Sequence, residues 1–366
     1  MEKMRTARRA LLCLVLILAL LALTACDLFE KPAQEPTEQE KKPNEQTVVD
    51  GDLQIHFLEL GNKYTGDCTY IKAGDVDILI DAGSRTTSVA TIQNYINQYV
   101  TDNKLEYVIV THAHQDHYAG FTLKNGSLFD LYEVDVIIDF ALTNQESTGT
   151  SMYDKYVAER DAEVAAGATH YTAAQCITEQ KNVFALTDEI TLTVLDSAYY
   201  FEKSADENNY SVCTMLTYGE NHYLFTGDLE EAGEQALVAR NDLPEVALYK
   251  AGHHGSKTSS TDALLEVISP EIVCVCCCAG SPEYKAAPEN TVPTQAMIDR
   301  VAPYTDQVYV TSLCVDYEKN EFTSLNGNIT VTADKQAVSV SCSASDLRLK
   351  FTDWFKQNRT MPAAWQ

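Results

Sequence analysis

Basic charge is what this sequence has least of. Its 366 residues carry 27 Lys+Arg against 53 Asp+Glu, a formal net charge of −26 at pH 7. Such a chain repels a phosphate backbone or an anionic bilayer unless cations intervene, so tight nonspecific nucleic-acid binding is not expected. Chemistry on an anionic substrate at a metal site stays open. Long apolar runs are also missing: after residue 25 none approaches the ~20 residues of a spanning helix, which argues against a membrane channel. The 11 cysteines include no pair of C-x-x-C motifs of zinc-ribbon type. What remains, 45% hydrophobic and 22% charged, is an ordinary globular composition, not a disordered or fibrous one. The length suits one large domain or two small ones.

The amino-terminal segment reads as an address. MEKMRTARRA is basic, and the apolar run LLCLVLILALLALTA that follows is short for a span, so residues 1–25 are expected to be a secretory signal. Leu23-Thr24-Ala25-Cys26 resembles a bacterial lipobox, which implies cleavage before Cys26 and lipidation of that cysteine. An uncleaved anchor is the alternative, and either places the domain outside the cytoplasmic membrane. Residues 26–50, rich in Glu, Gln, Pro and Lys, read as a solvated tether. Nine cysteines follow Cys26, an odd number, so internal pairing cannot be complete. Cys274, Cys276, Cys277 and Cys278 crowd into EIVCVCCCAG. Neighbouring strand residues point to opposite faces, so these cannot converge on one metal. They read as small apolar residues of a buried strand.

From residue 51 apolar alternation and helical spacing take turns. LQIHFLEL, CTYIKA, VDILIDAG, LEYVIVTH, VDVIID, EITLTVLD, SVCTMLTY, HYLFTGD, EVALYKAGHH, EIVCVCCC, QVYVTSLC, NITVTAD and AVSVSCS read as strands. TTSVATIQNYINQYV, SMYDKYVAERDAEVAA, LEEAGEQALVAR (capped by Asp228), TDALLEVI and PTQAMIDRV read as helices. The fold class is therefore α/β, one domain of two similar halves over 51–345. Residues 346–366 are expected to be a tail with a surface helix.

The chemistry-bearing feature is Thr111-His112-Ala113-His114-Gln115-Asp116-His117, after the buried run LEYVIV. Imidazoles and a carboxylate are standard zinc ligands, and a tight turn after a strand aims neighbouring residues at two centres. Strand ends bearing Asp81, Asp228 and the His253-His254 pair agree with it, because an α/β sheet places its chemistry at strand ends.

THAHQDH resembles the H-x-H-x-D-H signature of the metallo-β-lactamase superfamily. LQIHFLELGNKYTGDCTYI (with Gly66-Asp67), NNYSVCTMLTYGENHYLFTGDLE, LYKAGHHGSKTSS and SLNGNITVTAD resemble its ComEC-type competence branch, over about residues 51–340. The resemblance implies a four-layer αβ/βα sandwich with a metal cleft along one edge. It implies that His112 and His114 hold one divalent ion, Asp116 and His117 a second, and that Asp228 bridges both. Either His253 or His254 completes the second site; His254 is favoured as ligand. Asp116 and His253 are the expected catalytic residues, with His253 as proton donor. Asp81, Asn208, Ser211, Ser256 and Lys257 are expected to orient ligands or contact substrate. Zinc is the expected ion and manganese the alternative.

Two departures from the family pattern stand out. A third histidine for the first ion is missing where Asn208-Asn209-Tyr210-Ser211 stands, leaving His56, His170 and His222 as spares. The family's His-Pro near the last helix is Val292-Pro293-Thr294 here. The expected function is a surface-anchored metal-dependent hydrolase, foremost a phosphodiesterase acting on nucleic acid or a phosphorylated envelope polymer. A lactonase or β-lactamase acting on small molecules, and a non-enzymatic ligand-binding lipoprotein, are the alternatives.

Overall fold

A computed structural model describes residues 51–284 and 287–366. The secretory signal, Cys26 and the tether lie outside the described residues. Sixteen strands form two eight-stranded sheets. The first contains β1 (Leu53–Phe57), β2 (Thr69–Ala73), β3 (Val76–Ile80), β4 (Lys104–Val110), β5 (Glu133–Asp139) and β6 (Thr169–Thr172). The second contains β7 (Val183–Ala185), β8 (Ile190–Val194), β9 (Thr214–Tyr218), β10 (Asn221–Phe225), β11 (Leu248–Lys250), β12 (Ile272–Ala279), β13 (Val308–Asp316) and β14 (Glu321–Ser324). The last two, β15 (Ile329–Ala333) and β16 (Val338–Cys342), return to the first sheet beside β1, giving the order β16-β15-β1-β2-β3-β4-β5-β6. The second sheet runs β14 through β7 in reverse chain order. In the first sheet a parallel block, β3 to β6, runs to one edge and the remaining pairs are antiparallel; in the second a parallel centre, β10 to β13, is flanked by antiparallel strands on both sides.

Strand alternation decides which core each side chain joins. Tyr223 and Phe225 of β10 face the core between the sheets, where the Phe225 ring lies 6.4 Å from that of Phe57. Leu224 faces the opposite way, into an outer core with Leu237, Leu264 and Leu265 from the covering helices. The same division runs along β12: Cys274 and Cys276 point to the inner core, Val273, Val275 and Cys277 to the outer one. All eight residues of β12 are buried, as a central strand covered on both faces requires. All nine described cysteines are free thiols. The result is an α/β sandwich whose two sheets face each other, with helices on the outside.

Three differences from the sequence reading have physical causes. First, β6, β7 and β14 have no counterpart among the expected strands. They are three or four residues long, partly exposed and at sheet ends, so they show little apolar alternation. Second, the helix expected to be capped by Asp228 begins at Glu231, with Glu230 at the capping position and no side-chain cap bond. Asp228 turns instead toward two buried imidazoles. Third, the carboxyl-terminal helix Asp353–Asn358 is no surface appendage: Leu349, Trp354, Phe355 and Trp365 are buried in the outer core.

Candidate metal centre

Five loops meet at one edge of the sandwich. Asp81 leaves β3 with φ of +61°, turning its carboxylate back over β4. There it accepts from the Thr111 amide (2.9 Å) and hydroxyl (2.8 Å). β4 runs out through Thr111 to His114, which starts the short helix Gln115–Tyr118 carrying Asp116 and His117. β10 ends in Thr226-Gly227-Asp228. Gly227 has φ of +55°, and a Cβ there would lie 2.8 Å from the Ser211 hydroxyl oxygen and 2.9 Å from the Thr111 Cβ, so only glycine fits. Ser211 accepts a hydrogen bond from the Asp228 amide (3.1 Å). β11 ends in the Gly252–Gly255 turn, where His253 and His254 both sit at positive φ (46° and 54°). Backbone of this kind costs about 1–3 kcal/mol per residue and persists where its surroundings over-determine it. The fifth loop precedes β2 and carries Asp67; Gly66 beside it packs so closely that a Cβ would fall 2.7 Å from the Asp116 carbonyl oxygen.

The donors form two groups around Asp228. His117 Nε2 and His254 Nε2 each lie 3.1 Å from its Oδ2, and His254 Nε2 lies 3.2 Å from Asp116 Oδ2. His112 Nε2 and His114 Nδ1 approach to 3.0 Å. His117 Nε2 and Asp228 Oδ1 are buried yet make no hydrogen bond. Imidazole nitrogens and carboxylate oxygens converging without partners are the donor chemistry of a divalent cation such as zinc, so these residues fit one. The outward ring nitrogens are held from behind. Asp81 Oδ2 is 2.8 Å from His117 Nδ1, and Asp67 Oδ1 is 3.0 Å from His254 Nδ1. A carboxylate on the far nitrogen fixes ring orientation and raises the basicity of the near one. A ligand atom of Asp67 also lies within 4.8 Å of others from His117, Asp228 and His254, but its contacts with the imidazoles are to Nδ1 atoms, on the side away from the convergence.

Burial pushes each carboxyl here up. Asp228 and Asp116 nevertheless sit well below the usual carboxylate range because His117 and His254 face them. Asp81 is raised, burial outweighing His117. Burial pulls the imidazoles down and takes His112 well below its ordinary value, with His117 adding to it. His117 and His254 go the other way, since Asp228 with Asp81 or Asp67 outweighs burial. Protons on those two rings are what a cation would displace.

The structure thus brings together His112, His114, Asp116, His117, Asp228, His254 and Asp81. His253 stands apart: its Nδ1 lies 3.0 Å from Thr258 Oγ1 and 3.1 Å from Glu230 Oε1, and its side chain is 27% exposed. Burial resists but His253 holds Glu230 down at about 2. Asn208 braces the same Glu230 through Nδ2 (3.3 Å). Ser256 bonds within its turn to Thr258, and exposed Lys257 reaches Asn290. Lys257 lines an open groove of about 630 Å³ with Asn209, Glu230, Glu231, Gln235 and Thr258. None of the spare histidines joins the centre: His56 contacts Tyr95 and Thr330, His170 contacts Asp139, and His222 contacts Thr217. The sequence reading assigned no role to Asp67, Lys250, Glu230 or Tyr284, whose hydroxyl donates to Asp116. A charged residue at the end of the apolar strand LYK was the available signal for Lys250.

A profile of the metallo-β-lactamase superfamily matches residues 61–123 and 202–279. Recombination protein 2 of Haemophilus influenzae is 33% identical over 98 residues, 23% of this chain and 12% of that protein. Competence protein ComA of Neisseria gonorrhoeae is 33% identical over 114 residues, 30% of this chain and 15% of its own length. The chain therefore spans only a small part of these relatives. Among solved structures, the metallo-β-lactamase fold protein YhfI from Bacillus subtilis aligns over 79% of this chain and 99% of its own, at 9% identity and a TM-score of 0.42.

Proposed function

We propose that this chain, which carries a metallo-β-lactamase superfamily domain, is a metal-dependent hydrolase that cleaves phosphodiesters in nucleic acid or a phosphorylated envelope polymer. The observation that carries the reading is the convergence of His112, His114, Asp116, His117 and His254 around Asp228. Two divalent cations, zinc first and manganese as the alternative, would be held by His112 with His114 and by Asp116, His117 and His254, with Asp228 shared. When bound, such a pair supplies Lewis acidity and activates water at neutral pH.

The chain's own residues do the rest. Asp228, braced by Ser211, keeps the two donor groups in one frame. Asp81 and Asp67 hold the rings of His117 and His254. His253 is aimed through Nδ1 by Glu230 and Thr258, and its Nε2 makes no hydrogen bond among the described residues. Partly exposed beside the centre, it is suited to give a proton to the departing oxygen. Lys257 borders the groove next to it; Lys257 and the preceding Ser256 would meet the substrate's phosphates. The placement outside the cytoplasmic membrane, through lipid on Cys26, belongs to this proposal and rests on the lipobox resemblance; Cys26→Ser should shift the protein from the membrane fraction to the medium.

The test is to assay the metal-loaded protein in parallel on bis-p-nitrophenyl phosphate, single-stranded DNA, a choline phosphodiester and a β-lactam, with metal counted per chain. Phosphodiester cleavage with about two equivalents of metal supports the reading. Opening of the β-lactam without phosphodiester cleavage overturns it in favour of a small-molecule hydrolase. Absence of any bound metal leaves a ligand-binding protein.

A further inference from the structure

Lys250 is the one lysine or arginine that is fully buried among the described residues, at 3% exposure. It stands at the end of β11, whose three residues are clamped in parallel register between β10 (Lys250 opposite Phe225) and β12 (Lys250 opposite Cys274). Its backbone is therefore fixed from both sides. Its ammonium reaches three of the loops that build the centre. It pairs with Asp67 of the first sheet's half, whose other oxygen holds His254 Nδ1 at 3.0 Å. It donates to the carbonyl of Gly227 (3.4 Å), the residue before Asp228. It donates also to the carbonyl of Ala251 (3.3 Å), which leads into the strained His253-His254 turn.

A buried ammonium is costly unless paired and fully bonded. A core of this kind would use an apolar residue at the strand end if only packing were needed. Three loops carrying Asp67, Asp228 and His254 arrive from separate parts of the chain, and two successive residues of one turn hold unfavourable backbone angles. Something has to over-determine their positions. Lys250 is in contact with all three loops.

We propose that Lys250 is a positioning residue that fixes the Asp116–His117–Asp228–His254 donor group for its cation by tying the loops of Asp67, Gly227 and Ala251 to one ammonium. It touches no substrate and no reacting atom; it acts through Asp67 on His254 and through the Gly227 carbonyl on Asp228. The inference rests on the metal-binding part of the proposed function and is independent of which bond is cleaved.

Zinc titrations followed by calorimetry test it on four proteins: wild type, D67N, K250M and K250M/D67N. The tighter binding step should weaken about 10–100-fold in K250M, the usual range for losing a group that orients a metal ligand. The double variant removes the carboxylate that K250M would orphan, so it folds where the single variant fails. It should nonetheless bind zinc more weakly than D67N alone, because the ties to Gly227 and Ala251 are missing. Cobalt(II) substitution should show an altered visible absorption in K250M and K250M/D67N, a change that loss of fold stability by itself does not produce. If K250M binds zinc as wild type does, or if K250M/D67N matches D67N, Lys250 merely neutralises a buried charge and the proposal is overturned. Intact zinc binding without phosphodiester turnover in the wild type would count against the substrate reading and leave this one standing.

Discussion

The two adjacent histidines of the Gly252–Gly255 turn separate cleanly by surroundings. His254 is enclosed by Asp67, Asp116 and Asp228, whereas His253 meets Glu230, Thr258 and solvent. Their substitutions should therefore fail in different ways. His254→Ala is expected to cost bound metal and to lower phosphodiester turnover by at least 100-fold, on the order of losing one electrostatic stabiliser. His253→Ala should keep its metal and lose about 10²–10⁴-fold in kcat, the range for a general acid. Metal analysis beside steady-state kinetics separates the two, and equal metal loss in both would refute the division of roles. Asp81→Asn, which keeps the shape but weakens the hold on His117, should lower metal affinity about 10–100-fold. The spacing of Thr111 to His117 made the histidine loop legible in the sequence, because several donor residues at fixed separation have no ordinary packing reason. Lys250 and Asp67 were not legible in this way. Each is a single charged residue, and its meaning comes from a partner 183 positions away, a distance in sequence that only the closed sandwich removes.

At the scale of elements, β12 could be read because both faces are buried and the whole run is hydrophobic, and β4 because it ends in the buried apolar residues Val108, Ile109 and Val110. The edge strands β6, β7 and β14 could not, since each is only three or four residues long and partly exposed, and the backbone ladder holds it instead. The helix Glu231–Arg240 shows a further effect of context. Its Glu234 is fully buried and accepts from the amides of Ser260 (2.6 Å) and Thr261 (2.8 Å) and from the Thr261 hydroxyl (2.5 Å). This carboxylate fastens the loop ahead of helix Asp262–Ile268 to its neighbour. Burial nevertheless pushes its carboxyl up to about 7, from 4.5. The folded chain then keeps a proton at this position where the unfolded chain releases it. The contribution is present below pH ~4.5 and is lost as pH rises through about 7, amounting to about 3 kcal/mol. Urea unfolding of wild type and Glu234→Gln at pH 5 and pH 8 checks this. The difference between the two proteins should change with pH in that direction, and a constant difference would rule the effect out. Glutamine also offers one acceptor oxygen in place of two, so the variant should be less stable by about 1–3 kcal/mol at pH 5.

For the whole molecule, the dominant fact is the surplus of acid, −26 overall, with Asp67, Asp81, Asp116 and Asp228 drawn to one edge. A cation binding there joins residues from both sheets and stabilises only the folded chain. At a thousand times its dissociation constant it should add about 4 kcal/mol. Chelator should therefore lower Tm by several degrees, and zinc should restore it; a Tm unmoved by chelator and zinc alike would mean the donors do not act as one site. The same surplus predicts no detectable shift of duplex DNA by the metal-free domain at physiological salt. Any nucleic-acid strand it cuts would reach it by encounter at the centre and not by adhesion along its surface.

The thiols of β12 have a consequence of another kind. Seven of the nine described cysteines are enclosed by packing, and only Cys314 and Cys342 are partly open to solvent. Nothing covalent shields the other seven; their protection is the tightness of the surrounding side chains. While the polypeptide is still unfurled, every sulfur is open to an oxidant, so in oxidising surroundings productive folding is a race against mispairing. Once the race is won, iodoacetamide applied without denaturant should add at most two carbamidomethyl groups to the nine described cysteines, read by peptide mass, and the remaining seven should yield only when urea is added.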